Sequence, residues 1–249
     1  MRVSILATED IGIAAADLFV QTLKAKPTAA FGFATGSSPQ SVYAELSHRV
    51  TRGEADFSSA IGFALDEYVG LPLGHPQSYE RFVRERIEVP LLMKPGSIRV
   101  PDGNATDLDA AADAFDEAIW QAGGIDLQIL GIGTNGHIGF NEPSSSLGSR
   151  TRVKTLALQT RRDNARFFDS FDDVPRKCVT QGLATIREAG HVVVTATGEA
   201  KASAVASMVE GPMTALVPAS VLQLHRKVTV LVDEAAASEL QLRDYYRQT

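Results

Sequence analysis

The chain has 249 residues, of which 44% are hydrophobic and 22% are charged, and its formal net charge is −6 at pH 7. This composition excludes an intrinsically disordered chain, a collagen-like repeat and a small disulfide-dependent scaffold. The acidic balance, without a long basic cluster, argues against a nucleic acid as the main partner. The first residues lack the pattern of a signal peptide, no uncharged run is long enough for a membrane span, and Cys178 is the single cysteine. We therefore expect a cytoplasmic protein that does not bind membranes.

Short β-branched segments alternate with longer amphipathic segments along the whole chain. This alternation is typical of an α/β fold, so we expect one domain over residues 1–249, built on a single open, mainly parallel sheet with helices on both faces. Strands are predicted at 2–7, 29–34, 60–65, 126–130, 152–158, 191–195 and 227–232. Helices are predicted at 10–26, 39–52, 78–89, 106–121, 160–168, 199–210 and 233–246.

Two of these helices have recognisable start signals. Ser38 is predicted to be an N-cap, followed by Pro39 at the first helical position, where a missing N–H has no cost. The segment from Thr106 to Asp109 resembles a capping box and predicts the start of the helix at 106–121.

In an open parallel sheet, ligands bind beyond the carboxyl ends of the strands, so we examined the residues that follow each predicted strand. The first such segment contains Thr35, Gly36, Ser37 and Ser38, and a helix follows it directly. Small hydroxyl residues and free N–H groups at a helix N-terminus favour a phosphate site. An ordinary capped turn is the alternative interpretation.

The second segment places two carboxylates, Asp66 and Glu67, directly after a predicted buried strand. Adjacent side chains at a strand end point in different directions, so these two do not form a pair that shares one proton. One of them could face a cleft as a base while the other faces helices or solvent. A helix N-cap or a surface turn fits the spacing equally well.

The third segment is glycine-rich and spans residues 131–143. It contains G-x-G-x-x-G, but Gly139 and Pro143 interrupt any following helix, and the acidic residue of a dinucleotide site is missing. The segment instead groups Asn135, His137 and Glu142, which are the ingredients of an oriented acid or base. The remaining histidines are scattered, so we expect no metal site.

Basic residues near these segments could bind a phosphate. They are Arg150, Arg152, Lys154, Arg166 and Lys201. Phosphate recognition needs one or two of them beside a helix N-terminus, and the others then belong to solvated surfaces.

Four motifs carry a resemblance to a known family. They are LDEYVGL at 65–71, GIGTNGHIGFNEP at 131–143, SRTR at 149–152 and NARFF at 164–168. Together they closely resemble the glucosamine-6-phosphate deaminase (isomerising) family over nearly the whole chain. The resemblance implies an open, modified Rossmann-like fold and a cofactor-free reaction that converts glucosamine 6-phosphate and water to fructose 6-phosphate and ammonia.

The resemblance also implies roles for individual residues. Asp66 corresponds to the base that moves a proton between C2 and C1, and His137 to the acid and base of ring opening, supported by Asn135 and Glu142. The substrate phosphate is expected against Thr35, Gly36, Ser37, Ser38, Arg166 and Lys201. An allosteric sugar phosphate is expected, in some members, at Arg152 and Lys154.

The chain departs from part of the family in two respects. Asn135 replaces an aspartate found in some members, and a neutral amide does not favour an imidazolium at His137 as a carboxylate does, which leaves the pH optimum open. The C-terminus follows Tyr246 closely and is shorter than in the allosteric members. Allosteric control is therefore not assumed, and a homo-oligomer is left open.

Three alternative functions remain. A 6-phosphogluconolactonase shares the fold, but its glycine-rich motif continues toward Thr-Ala-Ser rather than toward Glu142. A galactosamine-6-phosphate deaminase differs by one epimeric hydroxyl, which the sequence does not assign. A sugar-phosphate sensor normally carries a helix-turn-helix, which is not predicted here.

Overall fold

The computed structural model describes residues 1–36 and 38–248. Its strands are Arg2–Leu6 (β1), Ala30–Phe33 (β2), Ile61–Ala64 (β3), Asp66–Tyr68 (β4), Ile98–Arg99 (β5), Leu127–Gly131 (β6), Arg152–Thr155 (β7), Lys177–Thr180 (β8), Val192–Ala196 (β9) and Val228–Asp233 (β10). Its α-helices are Thr8–Ala25 (α1), Gln40–Thr51 (α2), Tyr79–Val83 (α3), Leu108–Gln121 (α4), Leu158–Asn164 (α5), Leu183–Arg187 (α6), Ala202–Val209 (α7) and Arg243–Tyr246 (α8). A π-helical turn follows α3 at Arg84–Glu88, and 3-10 turns lie at Ala165–Phe167, Glu199–Lys201 and Pro218–Leu224.

The main sheet has seven strands within the described residues, in the order β1-β10-β9-β6-β2-β3-β5, and all of its pairings are parallel. Every residue of β2 and β9 is buried, as expected for strands whose two faces are both covered. The predicted open, mainly parallel α/β architecture is therefore confirmed.

Aromatic packing fixes the first helix over the centre of this sheet. Phe19 of α1 stacks on Phe31 of β2, with ring centroids 5.0 Å apart, and its centroid lies 6.1 Å from that of Phe33. All three side chains are fully buried. This packing sets the position of β2, whose carboxyl end leads into the segment that begins at Thr35.

A second, smaller sheet has the strand order β4-β8-β7, and its pairings are antiparallel. The sequence did not predict it, because β4 and β8 are short and their pairing joins residues more than a hundred positions apart. Thr180 of β8 is the register partner of both Asp66 and Arg152. The strand predicted at 152–158 ends at Thr155 and belongs to this sheet. The sequence also missed β5, α6 and the 3-10 turn at Pro218–Leu224.

Both predicted helix starts are wrong by one or two residues. Pro39 itself occupies the N-cap position of α2, with backbone angles φ −84° and ψ 0°, so the helix begins one residue later than Ser38 implied. Asp107 rather than Thr106 caps α4, where its side chain accepts a hydrogen bond from the backbone N–H of Ala110 at 2.9 Å. Asp107 directly precedes the first helical residue, Leu108, so its carboxylate, rather than the Thr106 hydroxyl, reaches the free N–H groups of the first turn.

The helix predicted at 233–246 is also wrong. Most of that segment forms turns, and the helical part is α8. The Asp233 carboxylate accepts the backbone N–H of Ala236 at 2.8 Å, and the Glu210 carboxylate accepts those of Gln241 and Leu242 at 2.7 and 2.9 Å. Glu210 lies 31 and 32 residues before these two N–H groups, so this tertiary contact caps the start of α8, whereas Asp233 caps the turn that follows β10 locally. Among the described residues, no helix combines the length and apolar character needed to cross a membrane.

Candidate active site

A cleft of about 570 Å³ lies at the carboxyl ends of β2, β3 and β6. Residues from distant parts of the chain line it, and the predicted site residues among them are Thr35, Gly36, Ser38, Asp66, His137, Arg166 and Lys201. Ser37, which was also predicted, lies outside the described residues. The parallel sheet brings these segments together because its strands end at one edge.

Asp66 and Glu67 point in different directions, as the sequence predicted. Asp66 faces the cleft, whereas the carboxylate of Glu67 accepts backbone N–H groups of Tyr68, Tyr79 and Glu80 at 2.7, 3.0 and 2.9 Å. Tyr79 and Glu80 are the first residues of α3. Glu67 therefore anchors the start of that helix, and Asp66 is the carboxylate available to a ligand.

The surroundings of Asp66 favour its neutral form. The residue is 4% exposed, and burial raises its pKa to about 8, with a further upward contribution from the charge of Glu67. Hydrogen bonds from the Thr180 hydroxyl and the Phe140 backbone N–H act in the opposite direction without cancelling the effect. A carboxyl group with such a pKa can both accept and release a proton near neutral pH.

Glycines allow the loop after β6 to approach the cleft closely. A Cβ on Gly133 would come within 2.2 Å of the His137 ring, so the ring lies against the bare backbone at this position. Gly139 has φ +55°, and a Cβ there would lie 3.3 Å from the Oδ2 atom of Asp66. These two glycines explain how the loop packs around His137 and reaches Asp66.

A chain of hydrogen bonds runs from His137 to Glu142. The Nδ1 atom of His137 lies 2.7 Å from the Oδ1 atom of Asn135, and the Nδ2 atom of Asn135 donates to the Oε2 atom of Glu142 at 2.9 Å. Nδ1 also lies 3.5 Å from that Glu142 oxygen. The Thr160 hydroxyl donates to the other oxygen of Glu142, Oε1.

The charge of Glu142 determines which groups donate and which accept in this chain of hydrogen bonds. Burial alone raises the pKa of Glu142, but hydrogen bonding and charge from His137, with hydrogen bonds from Thr160 and Asn135, lower it to about 2. An ionised carboxylate accepts only, so Asn135 must turn its NH₂ group to Glu142 and its oxygen to His137. The backbone N–H of His137 also donates to that oxygen, at 3.2 Å. Nδ1 therefore carries the proton, and Nε2 of a neutral His137 is free to accept one.

Two basic side chains, those of Arg166 and Lys201, also line the cleft. Arg166 lies with its guanidinium 4.7 Å from the centre of the Phe167 ring, and Lys201 is half-buried. Burial lowers the pKa of Lys201, as does the charge of Arg166, while the charge of Asp163 raises it. Both cations line the cleft together with Thr35 and residues at the start of α2, a set of groups suited to an anion such as a phosphate.

Several residues of the site were missed by sequence reasoning. Thr160 and Thr180 contact Glu142 and Asp66, and Tyr68 receives a hydrogen bond from Asn164 at 2.8 Å. Asn164 and Tyr68 fall within the NARFF and LDEYVGL motifs, which is a signal that could have identified them. Thr160 and Thr180 have no local pattern that marks them.

Arg152 and Lys154, predicted as an allosteric site, lie on β7. Neither is among the described residues that line the cleft. The Nη1 atom of Arg152 donates to the side-chain oxygen of Asn141 at 2.9 Å, and burial lowers the pKa of Arg152. Arg152 thus braces the residue that precedes Glu142, and its effector role stays a prediction.

In the described part of the chain, no group of three or more His, Cys, Asp or Glu residues is arranged to hold a metal ion.

Comparison with known proteins identifies the family. The family model described as glucosamine-6-phosphate isomerases/6-phosphogluconolactonase matches residues 8–231. Proteins named glucosamine-6-phosphate deaminase are similar along almost their whole lengths. That of Pseudarthrobacter chlorophenolicus is 57% identical over 100% of this chain and 96% of its own, and that of Mycolicibacterium smegmatis is 55% identical over 96% and 92%.

Solved structures agree with this assignment. A monomeric glucosamine-6-phosphate deaminase has a TM-score of 0.93 and 40% identity, covering 96% of this chain and 100% of its own. The 6-phosphogluconolactonase of Trypanosoma cruzi has a TM-score of 0.77 at 18% identity, covering 96% and 97%, which shows a shared fold alone. The chain therefore belongs to the glucosamine-6-phosphate isomerase/6-phosphogluconolactonase family.

Proposed function

We propose that the protein isomerises and deaminates glucosamine 6-phosphate, consuming water and releasing fructose 6-phosphate and ammonia. The observation that carries this proposal is the joint presence, in one cleft, of Asp66, His137, Arg166 and Lys201, with His137 hydrogen-bonded through Asn135 to Glu142 behind it. The similar proteins named above are deaminases, which supports the same reaction here.

The phosphate of the substrate is the handle that fixes its position. We place it against Thr35, Gly36, Ser37 and Ser38, at the start of α2, with Arg166 and Lys201 as counter-charges. A fixed phosphate converts the proton transfers into intramolecular steps, which is a large part of the rate enhancement that positioning can supply.

Ring opening is the first chemical step. Nε2 of His137 accepts the proton of the C1 hydroxyl and returns a proton to the ring oxygen as the C1–O5 bond breaks. Asn135 keeps the Nδ1 proton in place during this exchange, and the charge of Glu142 stabilises the imidazolium that forms.

Asp66 carries out the isomerisation. Its carboxylate removes the proton from C2 of the open-chain amino aldehyde while the C1 carbonyl oxygen takes up a proton, which gives an enolamine. The proton held by Asp66 is then delivered to C1. The resulting C2 iminium adds water and releases ammonia and one proton, leaving the C2 ketone of fructose 6-phosphate. A pKa near neutrality suits Asp66 to both halves of this transfer.

The direct test measures ammonia and fructose 6-phosphate from glucosamine 6-phosphate, with galactosamine 6-phosphate and 6-phosphogluconolactone as parallel substrates. Equal amounts of the two products from the gluco substrate support the proposal. Lactone hydrolysis without ammonia release, or turnover of the galacto epimer alone, contradicts it. Adding N-acetylglucosamine 6-phosphate to the same assay tests for an effector site at Arg152 and Lys154.

Assembly and location are further predictions. The sequence left a homo-oligomer open, whereas the similar solved deaminase is described as monomeric. Analytical ultracentrifugation of the active protein distinguishes these states. The cytoplasmic location expected from the sequence likewise stays a prediction.

A further inference from the structure

Thr160 contacts the proton-transfer chain from a different element. It lies on α5, is 7% exposed, and its hydroxyl donates to Oε1 of Glu142. The second oxygen of Glu142 receives the amide of Asn135 at 2.9 Å. The two carboxylate oxygens are therefore held by donors from two separate segments, the glycine-rich loop and α5.

The segment that carries Thr160 is itself held in place. The next residue, Arg161, is buried, and its Nη2 atom donates to the carbonyl oxygens of Phe171 and Val174 at 3.1 and 3.0 Å. One turn later Asn164 donates to the Tyr68 hydroxyl at 2.8 Å. Thr160 is thus fixed relative to both the following loop and the β4 side of the cleft.

Loss of the Thr160 hydroxyl would leave Oε1 of Glu142 buried without this donor. A buried ionised oxygen without a donor is costly, so the carboxylate would reorient toward another donor. One such donor is Nδ1 of His137, which lies 3.5 Å from Oε2 of Glu142. Rotation of the carboxylate toward the ring would displace Asn135 from the chain. The hydroxyl therefore favours the arrangement in which Asn135, rather than Glu142, accepts the hydrogen bond from the Nδ1–H group of His137.

We propose that Thr160 is a positioning residue that fixes the Glu142 carboxylate and, through Asn135, the orientation and tautomer of His137. This inference rests on the proposed deaminase function. It adds a residue outside the glycine-rich loop to the proton-transfer machinery. It also links that machinery to α5, which leads directly to Arg166 at the phosphate end of the cleft.

The test compares two substitutions at one position. Thr160→Val keeps the shape and removes the hydroxyl, and Thr160→Ser keeps the hydroxyl; Thr160→Ala is a second hydroxyl-free variant in case the valine is not accepted. Gln159→Ala is the matched control, because Gln159 is the exposed neighbour that donates to Asp163 at 2.8 Å. Initial rates with glucosamine 6-phosphate give kcat and KM for each.

We expect Thr160→Val to lower kcat roughly tenfold to a hundredfold, the range of a hydrogen bond to a charged group, with KM little changed. Thr160→Ser should recover most of the lost kcat, and Gln159→Ala should behave as the unmodified protein. Titration of the Glu142 carboxyl, followed by NMR of protein labelled with ¹³C in glutamate, should move to higher pH in Thr160→Val because a donor to its charged form is lost.

Unchanged kcat in both hydroxyl-free variants, or a rise in KM alone, overturns the positioning role. An unmoved Glu142 titration overturns the contact itself. If the unmodified protein releases no ammonia, the proposed function fails first. The NMR titration then still decides whether Thr160 holds Glu142, while its role in turnover falls with the function.

Discussion

Asp66 on β4 and Glu142 in the glycine-rich loop are both buried carboxylates, yet they lie in opposite surroundings. Asp66, on β4, is buried next to the like charge of Glu67, and its pKa is raised to about 8. Glu142, in the loop, is also buried, yet donors from His137, Thr160 and Asn135 lower its pKa to about 2. At neutral pH one group is mostly protonated and the other is fully charged.

The difference shows that burial alone does not set the state of a carboxylate; the donors aimed at it do. Environments that push two carboxylates apart in pKa assign them different tasks. Asp66 is suited to the proton transfer between two carbons that we propose for it, whereas Glu142 stays charged and is suited to stabilise a protonated His137. Substitutions at the two sites should therefore have unequal effects.

Asp66→Asn should have the largest effect, because the amide cannot accept the C2 proton. We expect kcat to fall roughly a hundredfold to ten-thousandfold, the usual contribution of a general base. Isothermal titration with substrate should show binding retained, since the substitution leaves the proposed phosphate-binding residues unchanged. Normal turnover in this variant would remove Asp66 from the mechanism and end the comparison.

Glu142→Gln should cost less than Asp66→Asn. His137 remains, but it loses the charge that stabilises its protonated form, and we expect kcat to fall on the order of tenfold to a hundredfold. Steady-state kinetics of the two variants side by side provide the measurement. A larger loss in Glu142→Gln than in Asp66→Asn would contradict the division of tasks between them.

The two carboxylates should also affect stability with opposite signs. Asp66 has a raised pKa in the folded state, so its contribution is fully present below its ordinary value of 3.8 and is lost as pH rises through about 8. Glu142 has a lowered pKa, so its contribution is present above 4.5 and is lost as pH falls through about 2.

Denaturant unfolding at a series of pH values separates these contributions. Asp66→Asn should flatten the decline in the free energy of unfolding between about pH 4 and pH 8, and Glu142→Gln should flatten the decline below about pH 4. If both variants changed the slope in the same pH range, or if the two ranges were exchanged, the opposite pKa shifts of Asp66 and Glu142 would be contradicted.

Asp233→Asn should have the smallest effect on turnover, through the proposed phosphate-binding part of the cleft. The Asp233 carboxylate accepts the backbone N–H of Gly198 at 3.0 Å, and Gly198, at φ +85°, precedes the 3-10 turn that carries Lys201. Weakening this anchor by about 1 kcal/mol should raise KM severalfold and leave kcat nearly unchanged. Lys201→Ala is the comparison variant, with a larger rise in KM; a fall in kcat without a KM change in Asp233→Asn would contradict the assignment.

The sequence predicted the main sheet and the location of the cleft because both follow from local patterns. The buried strand before Asp66 and the glycine-rich loop around His137 are visible as short motifs. The small sheet escaped prediction because β8 is a four-residue strand whose partners are distant in the chain. Thr160 and Thr180 escaped for the same reason, since their importance comes from contacts with Glu142 and Asp66 that no local pattern encodes.

The states of the two carboxylates were equally inaccessible from the sequence, because a pKa depends on burial and on donors supplied by other segments. In the C-terminal segment, by contrast, the sequence predicted a helix that is mostly absent among the described residues. Residues 233–246 have a helical pattern, but most of them form turns, and the Glu210 carboxylate of a distant segment accepts the backbone N–H groups of Gln241 and Leu242 just before α8. Tertiary hydrogen bonds contribute to both outcomes.

The most direct test of this account is an NMR titration of Asp66 and Glu142 in one sample labelled with ¹³C at the carboxyl groups of aspartate and glutamate. Asp66→Asn and Glu142→Gln assign the two signals. We expect the Asp66 signal to titrate near pH 8 and the Glu142 signal to stay that of an ionised carboxylate down to about pH 2. Two carboxyl groups that both titrate near pH 4, the ordinary range, would contradict the central claim that the fold holds them in opposite states.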